Sequence, residues 1–119
     1  MIGGRAAADS WAMTINHGFQ AVMNARPGCG DELVALLLDA PSLPNDDCRV
    51  FLVSRSAADP DVVCVAEGWT SREAHAAFFA SQPAQAFVAK LQPLLAGESQ
   101  YSDAIPVGGK PAFTEAGAA

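Results

Sequence analysis

VVCVAEGWTSREAH, running from Val62 to His75, decides the fold, because its hydrophobic period changes from two to helical within one short stretch. Val62 to Trp69 is rich in β-branched residues and reads as a strand. Ser71 is of the type that caps a helix, and Ala74, Ala77 and Phe78 then follow at helical spacing to about Ser81. The strand is apolar on both sides, with Val63 and Val65 on one face and Val62, Cys64 and Ala66 on the other. A strand apolar on both faces is normally buried on both. Helices can cover one side. A chain of 119 residues has too little left to cover the second, so two copies are expected to pack sheet against sheet.

Working outward, Val50 to Arg55 is a strand, and Ala57 to Asp61 carries turn residues. The short connection predicts an antiparallel hairpin with Val62–Trp69. Further upstream, His17 to Ala25 alternates, with Phe19, Ala21 and Met23 on one face and Gln20, Val22 and Asn24 on the other. Pro27-Gly28 stops this strand. Asp31 and Glu32 suit a helix N-terminus, Leu33, Leu36, Leu37 and Ala40 give the apolar stripe, and Pro41 and Pro44 end it. Downstream, Pro83 fits the first turn of another helix, whose stripe is Ala84, Phe87, Val88, Leu91 and Leu95, with Pro93 as its kink or terminator. Ser99 to Val107 is expected to be the last strand. The order β-α-β-β-α(α)-β predicts an α+β fold of the ferredoxin-like, split βαβ type, with helices on one face of an antiparallel sheet.

The length allows a single domain. We expect a flexible leader over residues 1–15, the folded unit over 16–107 and a flexible tail over 108–119, with Met1 or Met13 as the physiological start. A formal net charge of −6, with only 7 Lys and Arg, argues against nucleic acid as a partner. No apolar run approaches the ~20 residues that span a bilayer, and the N-terminus lacks the pattern of a secretory signal. The three cysteines, Cys29, Cys48 and Cys64, are odd in number and form no CxxC pair. They predict neither a disulfide framework nor a zinc site, but reduced thiols in a cytoplasmic protein.

Three segments carry a family resemblance: GFQAVMNARPGCGDELVALLLDA, CRVFLVSRSAADPDVVCVAEGWTSREAH and FVAKLQPLLAG. Together they resemble the antibiotic biosynthesis monooxygenase (ABM) family over about residues 17–110. The resemblance implies a dimeric α+β barrel with a ferredoxin-like protomer. It also implies several chemistries: anthrone- and quinol-oxidising monooxygenases without metal or flavin, haem-degrading proteins, and an isomerase of a signalling sugar. The anthrone-oxidising members carry an Asn, a Trp four positions later and a Tyr six positions after that. Here these positions hold Val65, Trp69 and His75. The haem-degrading members take an iron ligand from a histidine on the last helix, and residues 83–96 contain none, so no haem is expected.

By this resemblance the chain is expected to oxidise a planar phenolic, quinol or anthrone-type molecule with O2, using no resident cofactor or metal. The alternatives are a non-catalytic binding protein for an aromatic metabolite and an isomerase that needs no O2. His75 is the expected base, kept neutral by its place on the first helical turn; its other reading is a surface helix residue. Trp69 reads as a pocket wall or as a core ring. Glu67 shares its strand face and reads as a solvated or paired carboxylate, with a general-base role as the lesser alternative. Asn24 is a turn residue or a polar ligand contact. Phe78, Phe79 and Phe87 are core by spacing and candidates for lining a substrate cavity, as is Tyr101 on the last strand. Cys64 reads as an inert buried thiol.

Overall fold

A computed structural model describes residues 15–110 of the chain. The leader before Ile15, the choice of Met13 as start and the tail beyond Lys110 lie outside the described residues. The elements in order are β1 (His17–Asn24), α1 (Gly30–Leu37), β2 (Cys48–Arg55), β3 (Val62–Trp69), α2 (Arg72–Phe79), α3 (Gln82–Leu91), a 3-10 turn (Gln92–Leu94) and β4 (Gln100–Ala104). The sheet runs β2-β3-β1-β4, and all three pairings are antiparallel. Each helical crossover skips one strand position, which is the expected split βαβ arrangement of an α+β ferredoxin-like fold.

One alternate set of strand residues faces the helices. Ala21, Met23, Val63 and Val65 pack there with Leu33 and Leu37 of α1 and with Leu91 and Leu94 at the end of the α3 segment. The opposite set is apolar yet uncovered in the single chain: Val22, Val50, Val62, Cys64 and Ala66 are half-buried, and Leu52 is 56% exposed.

The start of α1 shows how sequence and tertiary structure divide the work of capping. Its first residue is preceded by Cys29, which makes no side-chain cap. The Asp61 carboxylate, from the β2–β3 loop, accepts from the backbone N–H of Gly28 at 3.0 Å and of Gly30 at 2.9 Å instead. Gly28 sits at φ +82, in the left-handed region, and a Cβ on Gly30 would collide with the Pro60 carbonyl. Both glycines of the ARPGCGDEL run are therefore fixed by geometry. Asp31 adds an ion pair to Arg55 at 2.6 Å.

Two boundaries differ from expectation, and a third resolves an alternative. Helix α1 ends at Leu37 and continues only as turns up to the prolines, not to Ala40. Of the two effects open to Pro93, termination is the one seen: α3 ends at Leu91 and Pro93 lies within the 3-10 turn Gln92–Leu94 that follows. Strand β4 stops at Ala104, the last residue paired with β1; Pro106 just beyond has no N–H to offer, and Ile105 and Val107 are exposed. Among the described residues no helix is long and apolar enough to cross a membrane.

Candidate functional site

Strand register assembles the site. His17 lies opposite Trp69 and Phe19 opposite Glu67 across the β1–β3 pairing, while Phe19 pairs with Asp103 and Ala21 with Tyr101 across β1–β4. With side chains alternating, His17, Phe19, Glu67, Trp69, Tyr101 and Asp103 all point to the helix side at one end of the sheet. Helix α2 covers that end. Ser71 caps it by accepting from the Ala74 N–H at 2.9 Å, and its first turn places His75 over the strands. The His75 ring centroid lies 5.1 Å from that of His17, 4.9 Å from Phe19 and 5.0 Å from Trp69.

The polar groups behind His75 form a short chain. The Trp69 indole N–H donates to Glu67 Oε1 at 2.7 Å. His75 Nε2 stands 3.8 Å from the same oxygen, too far for a direct hydrogen bond. Burial pushes the Glu67 carboxyl above the usual glutamate range, a shift the indole N–H partly offsets. Burial also lowers the His75 imidazole below its ordinary value; the neighbouring His17 adds to this and Asp103 opposes it. Neutral His75 is thus the favoured form, but desolvation is the leading cause rather than the helix N-terminus. Nearby, burial and the Glu67 carboxylate push the Cys48 thiol up to about 12, against a hydrogen bond to the Val50 carbonyl, which takes that sulfur out of nucleophilic use.

These groups open onto a cavity of about 630 Å³ between sheet and helices, within the size range of small-molecule pockets. Phe19, Phe51 and Val65 line it from the strands, and Phe78, Phe79 and Phe87 from α2 and α3. Tyr101 and Phe79 line it while being largely solvent-exposed, so they form its rim. Glu67 and His75 give it a polar corner, with Ser42, Gln92 and the Tyr101 phenol the other polar lining side chains.

Of the expected site residues, His75, Glu67, Phe78, Phe79, Phe87 and Tyr101 meet in this cavity. Two do not. Trp69 is fully buried and lies behind Glu67 rather than in the wall; its polar contact holds the carboxyl. Asn24 is at the far end of β1, outside the lining, where its side-chain amide donates to the Glu98 carbonyl at 3.3 Å.

Sequence reading missed Phe19, Phe51, His17 and Asp103. The two-residue period already put His17 on the face of Phe19, but nothing local ties either to Asp103. The structure brings one ligand-capable atom from each of His17, His75 and Asp103 within 4.8 Å of one another. These side chains come from β1, α2 and β4, too far apart in sequence to form a spacing motif.

Comparison with known proteins gives a consistent picture. The sequence model of the family described as antibiotic biosynthesis monooxygenase matches residues 17–90. A protein of Chloroflexus aurantiacus assigned to the antibiotic biosynthesis monooxygenases is 33% identical, at a TM-score of 0.70, over 80% of this chain and 96% of its own. A Caulobacter crescentus protein with the same assignment aligns at a TM-score of 0.71 and 20% identity, over 84% of this chain and 97% of its own. A conserved protein of Methanosarcina mazei aligns at 0.70 with 15% identity, over 81% and 97%. At such identities the last two speak for the fold alone. No curated protein matches. The family match over most of the folded unit, joined to the 33% identical structure, places this chain in the antibiotic biosynthesis monooxygenase family.

Proposed function

We propose that this chain is a monooxygenase that oxidises a planar phenolic, quinol or anthrone-type molecule with O2, using no resident cofactor. The observation that carries the reading is a single one. An imidazole favoured in its neutral form, with a largely buried carboxyl beside it, stands at the polar corner of a mainly apolar cavity with aromatic walls. Aromatic walls hold a flat substrate and exclude water. His75 then takes one proton from an activated C–H or O–H. The resulting carbanion or phenolate passes one electron to O2, and the radical pair recombines to form a carbon–oxygen bond. For an anthrone-type CH2, collapse of the peroxide leaves a ketone and releases water, so one oxygen atom enters the product and the other leaves with the two substrate hydrogens. Glu67, 3.8 Å from His75, supports the imidazolium formed in the first step.

The working unit is a homodimer, supported by the apolar open face of the sheet. Cys29, Cys48 and Cys64 are all free thiols, which suits the reducing cytoplasm.

Oxygen uptake by chelator-treated protein with a panel of anthrones and hydroquinones tests the reading. His75→Ala is expected to lose turnover while keeping the fold; an unchanged rate would remove His75 as the base. One observation favours a second reading. Val65, where the anthrone-oxidising members carry Asn, lines the cavity and offers no polar group. A binding protein for an aromatic metabolite would show saturable ligand binding without oxygen uptake. An isomerase would turn over in the absence of oxygen.

A further inference from the structure

We propose that His17, His75 and Asp103 bind one divalent transition-metal ion where β1, α2 and β4 meet, beside the cavity that His75 lines. This goes beyond the cofactor-free reaction and does not depend on it, because ion binding is read without any substrate.

Three observations converge. The first is spacing. His17 Nε2 lies 3.2 Å from Asp103 Oδ1, and the donor atoms of all three residues fall within 4.8 Å. Two ligands bonded to one ion at about 2.0–2.1 Å stand about 2.9–3.4 Å apart, so His17 and Asp103 already have that separation. His75, whose donor atom lies within 4.8 Å of the other two, must move inward to complete the set.

The second is an unexplained buried nitrogen. The His17 side chain is 6% exposed, yet its Nε2 has no hydrogen-bond partner of acceptable geometry. A buried polar atom left in this state is costly and calls for a reason. An ion pair with Asp103 is a weak one. That side chain is 71% exposed, and water screens such a pair.

The third is donor chemistry. Two imidazoles and one carboxylate suit Fe2+, Co2+, Ni2+ or Zn2+ rather than Mg2+ or Ca2+, which prefer oxygen alone. His17 and Asp103 stand on paired strands that fix their positions, and exposed Asp103 gives an ion a path from solvent. Three protein ligands leave coordination positions free for water or for a small molecule in the cavity. Occupancy engages His75, so the ion-loaded protein holds its imidazole as a ligand rather than as a free base.

Titration of chelator-treated protein with Co2+, followed by visible absorption and calorimetry, tests the site. One equivalent per chain is expected to saturate, with no thiolate-to-cobalt charge-transfer band. Asp103→Asn changes an exposed side chain and is expected to leave the circular dichroism intact while weakening binding tenfold or more. His17→Gln and His75→Gln should abolish the one-equivalent event. Absence of that event, several weak equivalents attributable to surface carboxylates, a thiolate band, or unchanged affinity in Asp103→Asn would each overturn the proposal.

Discussion

Glu67 is the residue whose environment does most to define the site. It is largely buried, it accepts from the Trp69 indole at 2.7 Å, and burial raises its pKa above the ordinary value. A carboxyl with a raised folded pKa contributes stability that is complete below its unfolded pKa and is lost as pH rises through the folded value. Glu67→Gln keeps the shape and an acceptor for the indole but cannot ionise. Thermal denaturation from about pH 4 to pH 8 should therefore show wild type losing ground to the variant as pH rises; a constant difference would mean that the carboxyl titrates normally. At this scale the sequence was legible where the chemistry is local. His75 and Glu67 stand out because they flank one strand-to-helix junction. His17 and Asp103 do not, since only the β1–β4 register brings them together. Trp69 had two readings, pocket wall and core ring, and its full burial matches the second. Two-residue alternation puts it on the cavity's side of the sheet, and only α2 packing shows that the ring is sealed behind Glu67.

At the scale of elements, α2 and α1 are held in different ways. No residue of α2 is fully buried, because the helix roofs a cavity instead of a packed core. Its Ser71 cap therefore matters more than its burial. Ser71→Ala should cost about 1 kcal/mol and weaken ligand binding by loosening the Phe78–Phe79 wall, which denaturant unfolding and ligand titration can read together. Helix α1 instead leans on its tertiary cap. Gly30→Ala must push against the Pro60 carbonyl and should destabilise by about 1–3 kcal/mol in thermal unfolding; a neutral outcome would mean the β2–β3 loop yields freely. Element types and order were readable from period and punctuation. The ends were less so: Pro93 had two possible effects, and Pro106, whose missing N–H marks the end of β4, lies inside the expected Ser99–Val107 strand.

For the whole molecule, the open sheet face is the feature that a single chain leaves unfinished. Val22, Val50, Leu52, Val62, Cys64 and Ala66 form one apolar surface there, and the double-sided apolar pattern of Val62–Ala66 made it visible in the sequence. Leu52 is 56% exposed on that face, so Leu52→Asp should split a dimer into monomers in sedimentation while leaving the protomer folded. A wild-type monomer at the same concentration would contradict sheet-to-sheet assembly. The central claim is that this cavity inserts one atom of O2 into a flat substrate deprotonated by His75. The most direct measurement is mass analysis of product formed under 18O2 by chelator-treated wild type and by His75→Ala. The account predicts one 18O atom per product molecule from wild type and no product above background from the variant. Product without label, or label that persists undiminished without the imidazole, would contradict it.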